Sequence, residues 1–287
     1  MSSIEKAIER LEQNSPSAKG RDLAASLALA GKTATANTPH AFEAKAEIQL
    51  DFKALARAGY LTPDTMQGNQ AEQYRLLKRP LINYANTRDD AGLKYGNLIA
   101  VTSALSGEGK TFTVFNLAIS IAMERDISVL LVDSDLMARS LTHVLGLENS
   151  PGLTELLLDR QVNLREVIVK TNVPKLRLIP AGQTDPHPTE LLASERMRTV
   201  VSELSARYSD RIILFDTAPL LTTSQAIVLD ALVGQIVVVV EEGKTSQHLV
   251  QDAISLLSQN KVVGMILNKS TGSPNRGHPY YGNYSTP

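Results

Sequence analysis

The chain has 287 residues, enough for one ordinary domain with substantial additional sequence or for two small domains. Hydrophobic residues make up 43% of it, and the formal net charge of −1 provides no basic field that would favour nucleic acid as a partner. Cysteine is absent, which excludes disulfides, thiolate metal sites and cysteine nucleophiles. No apolar run approaches the length of a membrane span. We therefore expect a cytoplasmic chain that reaches a membrane only through a partner.

Residues 1–45 are predicted to form a short helix followed by a loose linker. Ser2 and Glu5 have the spacing of a capping box, and apolar residues follow at helical intervals. This charged opening is not typical of a secretory signal. Two interpretations remain open for the helix, which either packs on its own domain or docks on a partner. The stretch after it is rich in Ala, Ser, Thr and Lys, a composition typical of linkers.

Residues 46–95 are predicted to form a helical extension. Glu72, Arg75 and Lys78 lie on one side of a helix that we expect to end near Pro80, because proline lacks the amide that an interior helical position needs. By its residues alone, such a charged trio is typical of a solvated helix face.

Residues 96–270 alternate between short apolar strands and helices. Nearly continuous apolar runs are typical of strands that are buried on both faces. Strand–helix alternation predicts an α/β fold with a mostly parallel sheet and helices on both faces. The helix after the first strand has an apolar face that includes Phe115 and Ile119. The predicted strands are LIAVTS, SVLLVD, LRLIP, RIILFD, QIVVVV and VVGMILN.

The segment that follows the first of these strands is typical of a P-loop. It reads ALSGEGKT, with Ala104 in place of the pattern's first glycine, and an amphipathic helix comes next. Backbone amides of such a loop wrap the phosphates of a nucleotide, and the helix N-terminus adds partial positive charge. Lys110 would reach the β- and γ-phosphates, and the Thr111 hydroxyl would bind Mg²⁺. The predicted nucleotide-binding residues in this loop are Ser106, Gly107, Glu108, Gly109, Lys110, Thr111 and Phe112.

Acidic residues close two of the other strands. Asp133 ends SVLLVD, and Asp135 follows two residues later. Asp216 ends RIILFD. In a parallel sheet the carboxyl ends of strands face the ligand crevice, so these acids are predicted to lie beside the P-loop. Carboxylates at that position hold Mg²⁺ or accept a proton. We predict that Asp133 and Asp216 hold the metal, and that Lys110 and all three acids serve catalysis.

The end of the last strand and the residues after it carry two further features. Asn268 either contacts the base of the nucleotide or is a plain strand terminus, and the sequence leaves both open. Residues 271–287 have no periodicity and are predicted to be a disordered tail. That tail contains Tyr280, Tyr281 and Tyr284, which packing does not explain because such a segment buries nothing.

Taken together, these motifs resemble the bacterial tyrosine kinases (BY-kinases) of the CpsD/CapB type, in particular the autokinases of exopolysaccharide/PEP-CTERM loci. The resemblance includes the opening MSSIEKAIERL, the helix EQYRLLKRPL, the loop SALSGEGKT, the segments LLVDSD, PAGQTDPHPTELLASERM and FDTAP, and the tyrosine-rich end. It implies a protein-tyrosine kinase that uses ATP and Mg²⁺. Lys110 and Thr111 match the Walker A residues, Asp133 and Asp135 match Walker A′, and Asp216 matches Walker B.

The resemblance also implies how the chain assembles and what it modifies. Glu72, Arg75 and Lys78 match a motif that joins subunits into a homo-oligomeric ring, and Tyr280, Tyr281 and Tyr284 match the phosphoacceptor cluster. A separate integral-membrane chain-length or activator protein and a tyrosine phosphatase are the implied partners. They would place the chain at the inner face of the membrane.

The sequence departs from the family's pattern at two places. Ser106 replaces a common proline, and Met137 stands where Walker A′ often has an arginine, with Arg139 two residues later. The main alternative is a partitioning or scaffold ATPase of the ParA/MinD class, which shares this fold. In that class a signature lysine contacts phosphates across a dimer, and here the uncharged Leu105 holds its place. This substitution favours the kinase interpretation.

Overall fold

A computed structural model describes residues 46–86, 95–207, 211–259 and 261–270 of the chain. The predicted helix at residues 1–45 and the three tail tyrosines lie outside these ranges. The described strands are β1 (Ala46–Ile48), β2 (Leu98–Ser103), β3 (Ser128–Asp133), β4 (Val169–Thr171), β5 (Leu176–Ile179), β6 (Arg211–Asp216), β7 (Gln235–Glu241) and β8 (Val262–Asn268).

The helices lie between and before these strands. A short 3₁₀ turn (Pro63–Thr65) joins the first two. In chain order the described α-helices are α1 (Phe52–Arg57), α2 (Asn69–Asn86), α3 (Lys110–Ala122), α4 (Ser140–Val144), α5 (Leu153–Leu158), α6 (Leu164–Val167), α7 (Pro188–Ala193), α8 (Glu195–Arg207), α9 (Gln225–Asp230) and α10 (Gln247–Ser255).

All the described strands form one sheet in the order β1-β4-β5-β3-β6-β2-β7-β8. Every neighbouring pair is parallel except β4 and β5, which are antiparallel. The predicted mostly parallel α/β sheet is therefore confirmed. The sequence missed β1 and β4, because three residues are too few to show a strand period.

The strands at the centre of the sheet are apolar runs because both of their faces are covered. Every residue of β2 is buried, as are five of the six in β3 and in β6. β8, at the edge, alternates instead, with Val263, Met265 and Leu267 exposed. The P-loop and the strand-end acids Asp133 and Asp216 lie at the carboxyl ends of these covered strands.

α3, which starts at the P-loop, is more deeply buried than its predicted amphipathic pattern implies. Residues 113–122 are all buried. The cause is α2, which packs on the side of α3 that faces away from the sheet. Tyr74 and Leu81 of α2 belong to the same hydrophobic cluster as Phe115 and Ile119 of α3. The extension and the P-loop region therefore share one core.

The prediction that the helix ends near Pro80 is wrong. α2 runs from Asn69 to Asn86 with Pro80 inside it. An interior proline costs an isolated helix about 3 kcal/mol. Buried residues on both sides of the proline, including Tyr74 and Leu81, pack against the core and offset that cost. Within the described ranges, no helix is both long and apolar enough to cross a membrane.

Candidate active site

The P-loop connects the end of β2 to the start of α3. Gly107 and Gly109 have φ values of 85° and 94°, in the left-handed region that glycine adopts without steric cost. These two turns wrap the backbone around the N-terminus of α3, whose first residue is Lys110. Lys110 is only 8% exposed, and its positive charge acts on Asp216. Ala104 is fully buried, so a small residue suits the first position of the loop.

Hydrogen bonds within the loop, and from β7, the segment after β7 and the end of β8, fix the position of Glu108. The Glu108 carboxylate is buried and accepts hydrogen bonds from the Leu105 amide (2.7 Å), from the Glu241 amide (3.3 Å) and from the Thr245 hydroxyl. The Asn268 amide nitrogen donates to the Glu108 carbonyl (2.8 Å). Glu108 therefore has only its backbone left to offer a phosphate. Contact between Asn268 and the base stays a prediction. Its hydrogen bond to the Glu108 carbonyl is a second contact, which the sequence did not suggest.

Two carboxylates lie next to each other at the end of the sheet. Asp133 of β3 and Asp216 of β6 are register partners on neighbouring strands, and both are fully buried. The Thr111 hydroxyl donates to Asp216 Oδ2 (2.7 Å). The structure thus brings together the predicted metal-binding residues Thr111, Asp133 and Asp216.

Burial and mutual repulsion disfavour the charged forms of these two acids. Burial raises the pKa of Asp133 to about 6, while hydrogen bonds from Thr142 act in the opposite direction. Burial and the negative charge of Asp133 raise the pKa of Asp216 well above its usual range, and Thr111 and Lys110 act against this. The pKa values of both carboxyls therefore lie above their usual range, and a cation bound between them would lower both.

The oxygen atoms at this place are suited to Mg²⁺. Asp133 Oδ1 and Asp216 Oδ1 are both buried and have no hydrogen-bond partner among the described residues, which is costly unless a cation or water binds them. No cluster of three or more His, Cys, Asp or Glu among the described residues could hold a metal by itself. Mg²⁺ commonly takes one or two carboxylates and fills its other positions with phosphate and water. Thr111 and the two acids fit that pattern.

Sequence analysis missed Thr142, which fixes the orientation of Asp133. The backbone amide and the hydroxyl of Thr142 both donate to Asp133 Oδ2 (2.8 and 2.6 Å). The same hydroxyl accepts from the Ala181 amide (2.9 Å), so a third segment supports it. These bonds occupy Oδ2 of Asp133 and leave its Oδ1 for another partner. A threonine nine residues after the strand belongs to no motif, and only the fold brings it to the site.

Asp135 and Arg139 are placed differently from Asp133. Asp135 is 4% exposed, and its Oδ1 accepts from the Ala138 amide (3.1 Å), as in a local turn. Arg139 has a left-handed backbone (φ 50°) before α4, and its guanidinium donates to the Glu148 carbonyl (3.1 Å). The described contacts of Arg139 are thus structural. They do not show it in the role of the Walker A′ arginine.

The ring of Phe112 packs against Tyr60, beside α1. Its ring centroid lies 5.0 Å from that of Tyr60, and Tyr60 also makes an edge contact with Phe115. Tyr60 and Phe112 line a cavity of about 700 Å³ together with residues of α1 and the segment after α4. Burial raises the pKa of the Tyr60 hydroxyl, and the charge of Asp216 raises it further. Contact between Phe112 and a nucleotide stays a prediction.

The three residues of α2 that were predicted to form the assembly motif do not share one exposed face. Glu72 and Arg75 pair with each other (2.5 Å) and are 59% and 40% exposed at their side chains. Lys78 is instead buried, and its ammonium contacts the Ser120 carbonyl (2.6 Å) and the Glu124 carboxylate (2.8 Å). Of the three, Glu72 and Arg75 are therefore the ones that remain accessible to another subunit.

Comparison with known proteins identifies the family. Residues 96–263 match a family model described as an AAA domain. Over 214 residues the chain is 33% identical to the tyrosine-protein kinase YwqD of Bacillus subtilis (strain 168), an alignment that covers 74% of this chain and 86% of YwqD. The chain belongs to the bacterial tyrosine-protein kinases. As a member of this family, it is a protein-tyrosine kinase built on a P-loop nucleotide-binding fold.

Other members of the bacterial tyrosine-protein kinases agree with this assignment. CpsD of Streptococcus agalactiae is 30% identical over 222 residues, which cover 76% of this kinase and 91% of CpsD. The kinase domain of Escherichia coli tyrosine kinase ETK has a TM-score of 0.65 and 27% identity, and covers 84% of this chain and 94% of that domain. The predicted family and enzyme class are both confirmed.

Proposed function

We propose that this kinase transfers the γ-phosphoryl group of ATP to Tyr280, Tyr281 and Tyr284 of a neighbouring copy, and that this transfer regulates exopolysaccharide biosynthesis and export. The observation that carries the proposal is that Thr111 of the P-loop pairs with Asp216, whose neighbour on the next strand is Asp133. The tyrosine cluster begins eleven positions after Lys269, which itself contacts the loop.

Each part of the site has a role in this proposal. The amides of residues 106–111 hold the phosphates, and Lys110 lies against the group that is transferred. Thr111 and Asp216 would hold Mg²⁺, and Asp133 beside them serves either as the base or as a further anchor. Bound Mg²⁺ supplies positive charge that neutralises the transferring phosphoryl group. Holding donor and acceptor in line then provides most of the acceleration, because phosphoryl transfer needs little covalent help.

The acceptor tyrosine needs to lose a proton, because its hydroxyl has a pKa near 10. In the proposed step the phenolic oxygen bonds to the γ-phosphorus, the bond from that phosphorus to ADP breaks, and the proton passes to Asp133. Asp133 suits this task, since its pKa of about 6 leaves it ionised at neutral pH yet more basic than an ordinary aspartate. Its Oδ1 has no hydrogen-bond partner. Asp135, engaged in a local turn, is the second choice.

Transfer between copies requires an assembly. We propose a homo-oligomeric ring in which the exposed Glu72–Arg75 pair of α2 contacts a neighbouring subunit. A separate integral-membrane activator would hold this ring at the inner face of the membrane, and a tyrosine phosphatase would reset it. A seventeen-residue segment behaving as a random coil spans on average about 20 Å, which is enough to reach a neighbouring site.

Mixing two variants tests transfer between copies. The acceptor is a Lys110→Met chain, which retains its tyrosines but lacks the cation at the phosphates. The donor is an active chain with Tyr280→Phe, Tyr281→Phe and Tyr284→Phe, and ATP and Mg²⁺ are supplied. Mass spectrometry is expected to find phosphate on the three tyrosines of the Lys110→Met chain only in the mixture.

Each variant incubated alone serves as the control and is expected to stay unlabelled at these positions. Tyr84 is the informative alternative acceptor, because it is 42% exposed whereas Tyr74 is buried. Label on Tyr84 in place of the tail, or no label on the Lys110→Met chain, would remove the tail from the mechanism.

A further inference from the structure

A phosphate-binding loop needs its backbone amides to face inwards. Each peptide unit that points its N–H at an anion points its carbonyl roughly the other way. The outward carbonyls then need donors of their own, because a carbonyl that turned back into the loop would repel the phosphate. The requirement is strongest at Gly107 and Gly109, where glycine gives the backbone the freedom to rotate.

The end of β8 provides donors for two consecutive carbonyls of the loop. The Lys269 ammonium donates to the Gly107 carbonyl (2.7 Å), and the Asn268 amide nitrogen donates to the Glu108 carbonyl (2.8 Å). The Glu241 carboxylate contacts the same Lys269 ammonium (3.1 Å) and so orients it. A β-carbon at Gly109 would lie 2.2 Å from the Asn268 amide nitrogen, which shows how closely this side chain approaches the loop.

Lys269 adopts an unusual backbone conformation at this point. Its φ of 57° lies in the left-handed region, which is uncommon for a residue with a side chain. Such a conformation persists only where the surroundings fix it, and it is typical of functional positions. Here it accompanies the turn of the chain away from β8, at the position from which the ammonium reaches Gly107.

We propose that Asn268 and Lys269, which we term the β8 brace, are positioning residues for phosphate binding. They hold the Gly107 and Glu108 carbonyls outwards, so that the amides of the P-loop already face the phosphate position before nucleotide arrives. The β8 brace acts through the loop backbone and touches no reacting atom. This role of Asn268 differs from contact with the base. In the β8 brace, Asn268 contributes to binding through the phosphates, whichever base the nucleotide carries.

Hydrogen exchange of the nucleotide-free protein tests the role of Lys269. Lys269→Met should speed amide exchange in the peptide covering residues 104–112 and should weaken ADP binding by about 10-fold. Lys269→Arg, which retains a cationic donor, should restore most of both. Lys244→Met is the matched control, because Lys244 contacts the same Glu241 carboxylate (3.2 Å) but its described contacts include no P-loop carbonyl. It should change neither measurement.

Asn268→Asp tests the other half of the β8 brace. This isosteric change removes the donor to the Glu108 carbonyl, so ATP and GTP should lose affinity by the same factor in competition against a fluorescent ADP analogue. A selective loss for ATP would mean that Asn268 reads the base and would overturn its proposed role. Unfolding temperatures of the nucleotide-free variants, expected to stay within a few degrees of wild type, separate these effects from general instability.

Two further outcomes would overturn the proposal for Lys269. Weaker ADP binding with unchanged exchange in nucleotide-free protein would make Lys269 a direct phosphate ligand. Unchanged binding and unchanged exchange would leave it without a role. The inference rests on nucleotide binding but not on the acceptor, and ADP binding involves no phosphotyrosine. It can therefore fail while transfer between copies still succeeds, and the reverse also holds.

Discussion

Asp133 lowers the stability of the fold through the burial of its carboxylate, a cost that its proposed role in catalysis would explain. Its carboxylate is fully buried, lies beside Asp216, and has one oxygen without a partner. Burial raises its pKa from 3.8 to about 6. Between these two values the folded protein binds more protons than the unfolded chain, so the free energy of unfolding falls as pH rises through this window. Above pH 6 the loss is complete, on the order of 3 kcal/mol.

We therefore predict that Asp133→Asn stabilises the fold while it abolishes transfer. In EDTA at pH 7.5, the variant should unfold with a free energy higher than wild type by on the order of 2 kcal/mol, because it removes a buried charge while its amide oxygen still accepts from Thr142. The difference should disappear near pH 4, where the wild-type carboxyl is protonated. Urea denaturation across this pH range measures it.

Asp159→Asn is a suitable control for this experiment. Asp159 is exposed, and its carboxylate also accepts a backbone hydrogen bond, from Gln161 (2.8 Å). This variant should follow the wild-type pH dependence. If Asp133→Asn also follows the wild-type pH dependence, the buried Asp133 carboxylate does not lower the free energy of unfolding.

At this scale, sequence analysis identified residues whose position in a motif implies their place in the fold. Asp133 and Asp216 end apolar strands, and parallel strands bring such ends together. Thr142 was not predictable, since its contact with Asp133 depends on where α4 returns to the sheet. The outward side of the P-loop was missed for the same reason, because a loop motif specifies what binds inside it and not what supports it.

Among the elements, α2 has the largest difference between sequence pattern and structure. Glu72, Arg75 and Lys78 have helical spacing, yet Lys78 points inwards to α3 while the other two stay exposed. The same packing explains why the helix continues through Pro80. Periodicity predicts which residues share a face, but it does not predict that a second helix covers part of that face. Strands β2, β3 and β6 were predicted at their observed bounds because burial on both faces produces an unmistakable apolar run.

This division of α2 leads to a prediction about assembly. Combined Glu72→Ala and Arg75→Ala should weaken the oligomer on light scattering and leave the unfolding temperature nearly unchanged, because an exposed pair contributes less than about 1 kcal/mol. Lys78→Ala should instead lower the stability of the monomer by about 2 kcal/mol, since it leaves the Ser120 carbonyl and Glu124 without their cation.

The pair formed by Glu195 and Arg198 is the matched control for this experiment. It has the same i,i+3 spacing on α8 and is also exposed. Replacing both with alanine should leave assembly intact. If the oligomer survives the loss of Glu72 and Arg75 but not the loss of Lys78, the assembly depends on the buried lysine and not on the exposed pair.

At the scale of the whole molecule, phosphorylation should change the assembly through charge. Each phosphate adds about −1.5 to −2 charges, so three on one segment add about −5 to a chain whose formal net charge is −1. We predict that the protein incubated with ATP and Mg²⁺ dissociates into smaller species, because its charged segments repel one another. Sedimentation velocity would detect this change.

Two comparisons isolate the cause of such dissociation. The variant with Tyr280→Phe, Tyr281→Phe and Tyr284→Phe should keep its size under the same conditions. Raising the ionic strength to about 1 M should restore association of the phosphorylated protein, since the screening length falls to about 3 Å. Dissociation of the triple variant by ATP alone would assign the change to nucleotide binding.

β8 is the last strand of the described chain to be synthesised, and its end supplies the donors for the outer face of a loop that is made much earlier. Polypeptides emerge N-terminus first, at about 5–20 residues per second. A nascent chain therefore presents its glycine-rich loop for several seconds before Asn268 and Lys269 exist. If the proposed β8 brace is needed for tight binding, ATP has no complete binding site during that interval and cannot guide folding. Burial of β2, β3 and β6 then has to establish the core without help from nucleotide, and full affinity for nucleotide appears only after β8 has been synthesised.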